Sequence, residues 1–300
     1  MPPVASLSTL PRGKGNLHAM NGNESRRTKW TSHICRTNGI DMHYLRAGGA
    51  KPPLIALHGL MGSSACLSPL AGTLEAHFDI ILPDARGHGK SGKPDEGYRY
   101  CDHADDVIGL IEALQLNAPI VLGHSMGGMT AAVVASEMGS AIAGLVLIDP
   151  TFISPEWQRE VFESDVAAEH RRSLASTRTD LLADARRKNR RRAWKMLEYL
   201  VDARIDTSMA AFEVLTPPNP DYRELVEHIS APTLLVIGER GVVSAETASE
   251  LHARNPLLQF AMIADAGHGL PYDQPEQVGA VALAFFYSLT ASPASSTLAR

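Results

Sequence analysis

Gly123-His124-Ser125-Met126-Gly127 decides the fold of this 300-residue chain, because it joins two segments of different character. The apolar residues 119–122 before it predict a buried strand, and the small residues 128–135 after it predict a tightly packed helix. A Gly-x-Ser-x-Gly pattern between a strand and a helix is typical of a nucleophile elbow, where the serine hydroxyl stands exposed above the edge of a sheet. Ser125 is therefore the predicted nucleophile.

A candidate base lies near the C-terminal end, in Ala266-Gly267-His268-Gly269. The apolar residues 260–264 before it predict the last strand, so that His268 falls in the loop after this strand. At neutral pH an imidazole can take the proton of a serine hydroxyl and pass it to a leaving group. The sequence therefore predicts that His268 acts on Ser125 through space.

A third element is Leu57-His58-Gly59-Leu60-Met61-Gly62, which follows an apolar strand-like run. Backbone N–H groups of such a glycine-bearing loop can stabilise the negative charge that develops on a carbonyl oxygen. We expect the donors to be the N–H of Leu60 and the N–H of Met126, the residue after the predicted nucleophile. The substrate contacts predicted here and further along the chain are Gly59, Met61, Trp157 and Trp194.

These three elements, in this order, resemble the α/β-hydrolase superfamily over residues 32–289. The stretch Asp84-Ala85-Arg86-Gly87-His88-Gly89-Lys90-Ser91 is similar to the structural loop that follows strand four in that family. The resemblance implies an α/β fold with a mostly parallel, doubly wound sheet and a site at the carboxyl ends of its strands. It implies little about the substrate, because one fold carries many chemistries.

The acid that would orient His268 departs from the usual pattern of the superfamily. In most members it follows the next-to-last strand, where this chain has Gly241. Asp149, at the end of the apolar residues 145–148, is the preferred replacement, in the place from which haloalkane dehalogenases and zearalenone lactonases take their acid. Glu239, two positions before Gly241, is the alternative, because a triad needs a group that holds the imidazole tautomer.

The rest of the chain suggests one core with an insertion. Two short strands around Asn38-Gly39 predict a hairpin, since Asn-Gly favours a type I′ turn. Aliphatic runs separated by helical segments then predict a parallel sheet with both faces covered. The alternation stops over residues 151–228, which predict a helical cap inserted after strand six. The core is therefore expected to comprise residues 31–150 and 229–300.

Composition limits the function and the location. Residues 1–30, rich in Pro, Ser, Gly and Asn, predict a disordered tail. A net charge of −5 predicts no binding to nucleic acid or to an anionic membrane, and a homodimer is left open. Cys35, Cys66 and Cys101 lack metal-type spacing, and they indicate free thiols in a cytoplasmic protein without a metal.

Together these features predict a cofactor-independent serine hydrolase that cleaves a small-molecule carboxylic ester or lactone through an acylated Ser125. A serine in the elbow argues against haloalkane dehalogenases and epoxide hydrolases, which use an aspartate there. Three alternatives stay open at this point. They are a hydrolase or lyase that breaks a C–C bond, a non-enzymatic ligand receptor, and a degenerate scaffold in which Gly241 marks the loss of the triad.

Overall fold

A computed structural model describes residues 29–291, which form eight strands and eleven helices. The strands are β1 (Thr31–Thr37), β2 (Ile40–Ala47), β3 (Pro53–Leu57), β4 (Asp79–Pro83), β5 (Ile120–His124), β6 (Gly144–Ile148), β7 (Thr233–Arg240) and β8 (Leu258–Gly267). The helices are α1 (Ser64–Leu74), α2 (Tyr100–Ala113), α3 (Met126–Met138), α4 (Pro155–Glu163), α5 (Val166–Leu174), α6 (Arg178–Lys188), α7 (Trp194–Ile205), α8 (Tyr222–His228), α9 (Ala245–Arg254), α10 (Leu270–Asp273) and α11 (Pro275–Ala291). Two 3-10 segments, Gly139–Ala141 and Met209–Leu215, complete the set.

All eight strands belong to one sheet, in the order β1-β2-β4-β3-β5-β6-β7-β8. β2 pairs antiparallel with both β1 and β4, and the remaining pairs are parallel. The β1–β2 turn has positive φ angles at Asn38 (39°) and Gly39 (80°), as a type I′ turn requires. The hairpin and the mostly parallel sheet predicted from the sequence are therefore confirmed.

Helices cover both faces of the sheet, and neighbouring residues of a strand enter different apolar clusters. Ile55 of β3 packs in a cluster with α2, α3, α8 and α9, whereas Leu54 packs in a second cluster with α1 and α11. A strand that is buried on both faces has to be apolar at every position, which explains the continuous aliphatic runs. The chain has the predicted doubly wound α/β architecture.

The interval between β6 and β7 contains helices and, in residues 151–228, all of which the structure describes, no strand. The last of these helices, α8, packs on α3, and its Tyr222 and Val226 are buried in the core cluster. The core therefore resumes before residue 228, and not at residue 229 as expected. The sequence did not reveal this, because helical periodicity does not show which surface a helix covers. We call α4–α7 together with Met209–Leu215 the helical insertion.

No helix within residues 29–291 has the length and apolar character that a membrane span requires. The predicted tail falls almost wholly in residues 1–28, which lie outside the described residues. Cys35, Cys66 and Cys101 are free thiols, of which Cys66 is buried and Cys101 exposed.

Candidate active site

Ser125 lies in a strained turn between β5 and α3, with φ 56° and ψ −119°. A Cβ at Gly123 would overlap the carbonyl oxygen of Gly127, and a Cβ at Gly127 would lie 2.5 Å from the carbonyl oxygen of Leu57. Only glycine fits these two positions, since real Cβ atoms do not approach backbone oxygens so closely. The elbow thus lifts the Ser125 hydroxyl above the carboxyl edge of the sheet.

His268 follows β8 and faces Ser125 across this edge. Its Nε2 lies 2.9 Å from the Ser125 Oγ, and its Nδ1 lies 2.7 Å from Oδ2 of Asp149. A carboxylate can only accept, so Nδ1 donates to it, and Nε2 is left to accept the hydroxyl proton of Ser125. The imidazole is 42% exposed, and it lies on the wall of the cavity described below. This is the order of groups in which a histidine activates a serine.

Asp149 follows the last residue of β6 and is completely buried, with a positive φ of 40°. Its carboxylate accepts from the N–H of Val242 at 2.9 Å and from the N–H of Val243 at 3.0 Å. Burial raises the pKa of Asp149, but hydrogen bonds from His268, Val243 and Val242 outweigh it and lower the pKa below its ordinary value. Asp149 is therefore ionised at neutral pH.

Gly241 provides the space that the Asp149 carboxylate occupies. A Cβ built at Gly241 would lie 2.5 Å from Oδ1 and 2.8 Å from Oδ2 of Asp149. Glu239, the alternative acid, is half exposed, and its Oε2 accepts from the N–H of Asp265 at 2.9 Å. The structure thus brings Asp149 to His268 and places Glu239 elsewhere, and it gives the departure at Gly241 a steric reason.

Two backbone N–H groups, those of Leu60 and Met126, are the predicted oxyanion donors. Met126 is the first residue of α3, where N–H groups have no partner inside the helix, and Leu60 lies on the cavity wall beside Ser125. The loop that carries Leu60 is fixed by two buried histidines. His58 accepts from the N–H of Ala85 at 3.0 Å, and His88 accepts from the N–H of Met61 at 3.2 Å.

Both of these histidines have to be neutral to accept these hydrogen bonds. Burial lowers the pKa of His58, and it lowers the pKa of His88 to about 3. The Nδ1 atoms of the two rings contact the carbonyl oxygens of Gly59 and Arg86, each at 2.8 Å, which fixes the tautomer. The loop is therefore held rigidly beside Ser125.

His124, inside the elbow motif, is a site residue that the sequence analysis missed. Its Nε2 donates to the carbonyl oxygen of His268 at 2.8 Å, and its Nδ1 accepts from the hydroxyl of Tyr272 at 3.2 Å. Burial lowers the pKa of His124 to about 3, so that the ring stays neutral and Nδ1 can accept. The motif marks the position of His124, but no spacing reveals its contact with a residue far along the chain.

A cavity of about 720 Å³ opens above Ser125 and His268. It is bounded by the core residues Gly59, Leu60, Met61, His124 and Tyr272 and by side chains of α5, α6 and α7. A volume of this size suits a small-molecule ligand. The predicted contacts Gly59 and Met61 lie on its wall.

Trp157 and Trp194, also predicted as substrate contacts, are not on the wall of this cavity. Trp157 lies in the first turn of α4 and is 41% exposed, and Trp194 is the first residue of α7 and is 51% exposed. On α7 the cavity is lined by Leu197, Leu200 and Val201 instead of Trp194. This expectation was wrong, because large aromatic residues in a helix do not indicate which face points inward.

Similarity to known proteins shows the family of this chain. The family model described as the α/β hydrolase fold matches residues 52–275, and the chain belongs to that family. It is 28% identical to the 2-(acetamidomethylene)succinate hydrolase of Mesorhizobium japonicum over 77% of this chain and 87% of that protein. It is also 28% identical to the N-formylmaleamate deformylase of Pseudomonas putida over 79% of this chain and 89% of that protein.

A crystal structure of E-2-(acetamidomethylene)succinate hydrolase has the same fold, with a TM-score of 0.74 at 24% identity. The match covers 86% of this chain and 100% of that one. Because the sequence relatives are hydrolases, they support hydrolase activity for this chain as well.

Proposed function

We propose that the protein is a serine hydrolase that cleaves a carboxylic ester or a lactone. The observation that carries the proposal is the continuous hydrogen-bond chain from the Ser125 hydroxyl through His268 to the buried, ionised Asp149. This chain ends at a cavity large enough for a small substrate. The cavity, the nucleophile Ser125 and the base His268 thus lie together at one edge of the sheet.

In the first step the Ser125 oxygen attacks the carbonyl carbon while His268 Nε2 takes the hydroxyl proton. The N–H groups of Leu60 and Met126 stabilise the oxyanion, and the negative Asp149 balances the positive imidazolium. The imidazolium then gives its proton to the departing alkoxide, which leaves an acyl-serine.

In the second step a water molecule, deprotonated by the same His268, attacks the acyl-serine and releases the acid. With a lactone the alcohol stays tethered to the acyl group, so that a single hydroxy acid forms. Each step uses only the three side chains and the two backbone donors.

Cleavage of an amide, or of a C–C bond beside a carbonyl, is the second candidate. The same nucleophile would attack the same kind of carbon, and only the leaving group would differ. The observation that favours this candidate is the similarity to a deformylase and to a hydrolase of 2-(acetamidomethylene)succinate.

Labelling with a fluorophosphonate tests the proposal, because this reagent needs an activated serine. We expect one label on Ser125 by peptide mass spectrometry, and none in Ser125→Ala. On a panel of p-nitrophenyl esters, lactones, amides and β-diketones, Ser125→Ala should lose turnover by several orders of magnitude.

Each alternative gives a different result. Preferential turnover of amides or β-diketones would select the second candidate. Labelling without turnover on the whole panel would indicate a ligand receptor. A folded protein that takes no label would be a degenerate scaffold. Ser125→Ala activity within tenfold of the parent would contradict a serine mechanism.

A further inference from the structure

The wall of the cavity is more cationic than the chain as a whole, which carries a net charge of −5. Its basic side chains are Arg172, Arg187, Lys188, Arg192 and Arg204, and its acidic ones are Glu169, Asp180 and Asp184. Charges of one sign gathered around a concave site attract ligands of the opposite sign. A ligand can pair only with a cation that is not already neutralised by a carboxylate of the protein.

Four of the five cations already have a carboxylate partner. The nitrogen–oxygen distances are 2.7 Å for Arg192–Asp273, 3.0 Å for Arg187–Asp184, 2.9 Å for Lys188–Asp184 and 3.4 Å for Arg172–Asp165. Of the other acids, Asp180 accepts from the hydroxyl of Thr177 at 2.6 Å, and Glu169 is exposed to solvent. Arg204 is the remaining basic side chain on the cavity wall.

Arg204, in the last turn of α7, is half buried and lies on the cavity wall. Its Nη1 donates to the Ser173 hydroxyl on α5 at 3.2 Å, and within residues 29–291 it forms no ion pair with a carboxylate. A guanidinium has five N–H donors, and a partly desolvated charge without a partner is unfavourable. Most of the donors of Arg204 are therefore free to meet an anion in the cavity.

We propose that Arg204 binds a carboxylate group of the substrate, so that the enzyme acts on anionic esters or lactones. A planar guanidinium pairs with a carboxylate through two parallel hydrogen bonds, and Ser173 restricts its orientation. The cavity of about 720 Å³ can hold the monoester of a short dicarboxylic acid, with the ester carbonyl at Ser125. The part of this inference that concerns Ser125 rests on the proposed function.

Two esters that share a leaving group test the inference: mono-p-nitrophenyl glutarate, which is anionic, and p-nitrophenyl pentanoate, which is neutral and of similar length. We expect Arg204→Gln to lower the ratio of their kcat/KM values, anionic over neutral, at least tenfold. Arg178→Gln is the matched control, because Arg178 is paired with Asp202 and lies off the cavity wall. An unchanged ratio in Arg204→Gln would overturn the inference.

Binding separates this inference from the catalytic proposal. In the Ser125→Ala background, calorimetry should show that Arg204→Gln raises the Kd of glutarate at least tenfold, whereas Arg178→Gln does not. If this shift occurs while the parent cleaves no ester, the carboxylate site stands and the proposed function fails. If esters are cleaved and Arg204→Gln leaves the Kd of glutarate unchanged, the proposed function stands and the carboxylate site fails. If inorganic phosphate competes with glutarate and binds as tightly as glutarate does, the assignment of the site to a carboxylate is overturned.

Discussion

Asp149 contacts His268 from the end of β6, and Gly241 stands where most members of this family carry the acid. β6 and β7 are neighbours, with Ile148 paired to Val236, so that the end of β6 reaches the same edge as the loop after β7. A carboxylate at the end of β6 or after β7 therefore falls on the sheet edge where the imidazole lies. In this chain the loop after β7 supplies the N–H donors of Val242 and Val243 in place of the acid.

Gly241→Ala should therefore damage catalysis without touching a catalytic side chain. The added methyl would lie 2.5 Å from Asp149 Oδ1, and the carboxylate would have to move away from His268. We expect kcat/KM to fall by about tenfold to a hundredfold, since small misplacements in such a site are costly. The control is Gly72→Ala, because a Cβ on Gly72 of α1 meets nothing within 4 Å. Parent-level activity in Gly241→Ala would contradict the packing described here.

The choice between Asp149 and Glu239 illustrates what the sequence could and could not predict about the site. The elbow, the loop histidine and both carboxylates are visible as residues that follow strands. Which carboxylate reaches His268 depends on the side-chain path across two strands, and on Glu239 pairing with the N–H of Asp265 instead. Such through-space contacts leave no periodic signal in a single sequence.

The helical insertion is attached to the core next to the catalytic histidine. Arg192, in the connection between α6 and α7, contacts Asp273 of α10 through two hydrogen bonds of 2.7 Å. The same guanidinium lies 2.8 Å from where a Cβ on Gly269 would be, one residue after His268. This ion pair thus couples the position of the insertion to that of the catalytic loop.

Asp273→Asn should loosen this attachment. A bidentate but partly exposed pair contributes about 1 kcal/mol, which corresponds to about a fivefold increase in local opening. We expect cleavage by a protease within residues 189–193 to become about fivefold faster, and kcat/KM to fall by a similar factor. Glu156→Gln, which breaks the exposed pair with Arg159 on α4, is the control. Identical proteolysis of both variants would refute the coupling.

The elements of the core were easier to predict than those of the insertion. The Asn38-Gly39 turn and the continuous aliphatic strands each have one physical interpretation. The helices of the insertion are short and their faces are mixed. Their sequence did not reveal that α8 belongs to the core or that Trp194 points outward.

For the whole molecule, buried neutral histidines link stability to pH. Burial lowers the pKa of His88 and of His124 to about 3 in the folded state, against about 6.5 when unfolded. Below pH 6.5 the unfolded chain binds protons at these two histidines that the folded chain does not, so their contribution to the free energy of unfolding falls as the pH falls. The carboxylates with lowered pKa values act only below about pH 5.

Urea denaturation between pH 6.5 and pH 5 measures this loss, to which each histidine contributes up to about 1.4 kcal/mol per pH unit. His88→Gln should reduce the slope by up to that amount, even where its stability at pH 7 is lower. The control is His33→Gln, which makes the same substitution at an exposed position of β1. An unchanged slope in His88→Gln would show that His88 is not held neutral.

The distribution of charge over the whole molecule is another feature that the sequence alone does not predict. A net charge of −5 gives no reason to expect a preference for anionic ligands. The fold gathers cations of α5, α6 and α7 around one cavity and leaves Arg204 without a carboxylate partner among the described residues. A sum over the chain cannot reveal such a local excess.

The central claim is that Asp149 completes a triad with His268 and Ser125. The second-order rate constant for fluorophosphonate labelling tests it directly, because it requires no knowledge of the substrate. Asp149→Asn should lower this constant by roughly a thousandfold, since an amide can favour the wrong tautomer and cannot balance the imidazolium charge. Glu239→Gln should stay within about threefold of the parent, as its carboxylate pairs with the N–H of Asp265. The reverse ranking would contradict the account and assign the acid to Glu239.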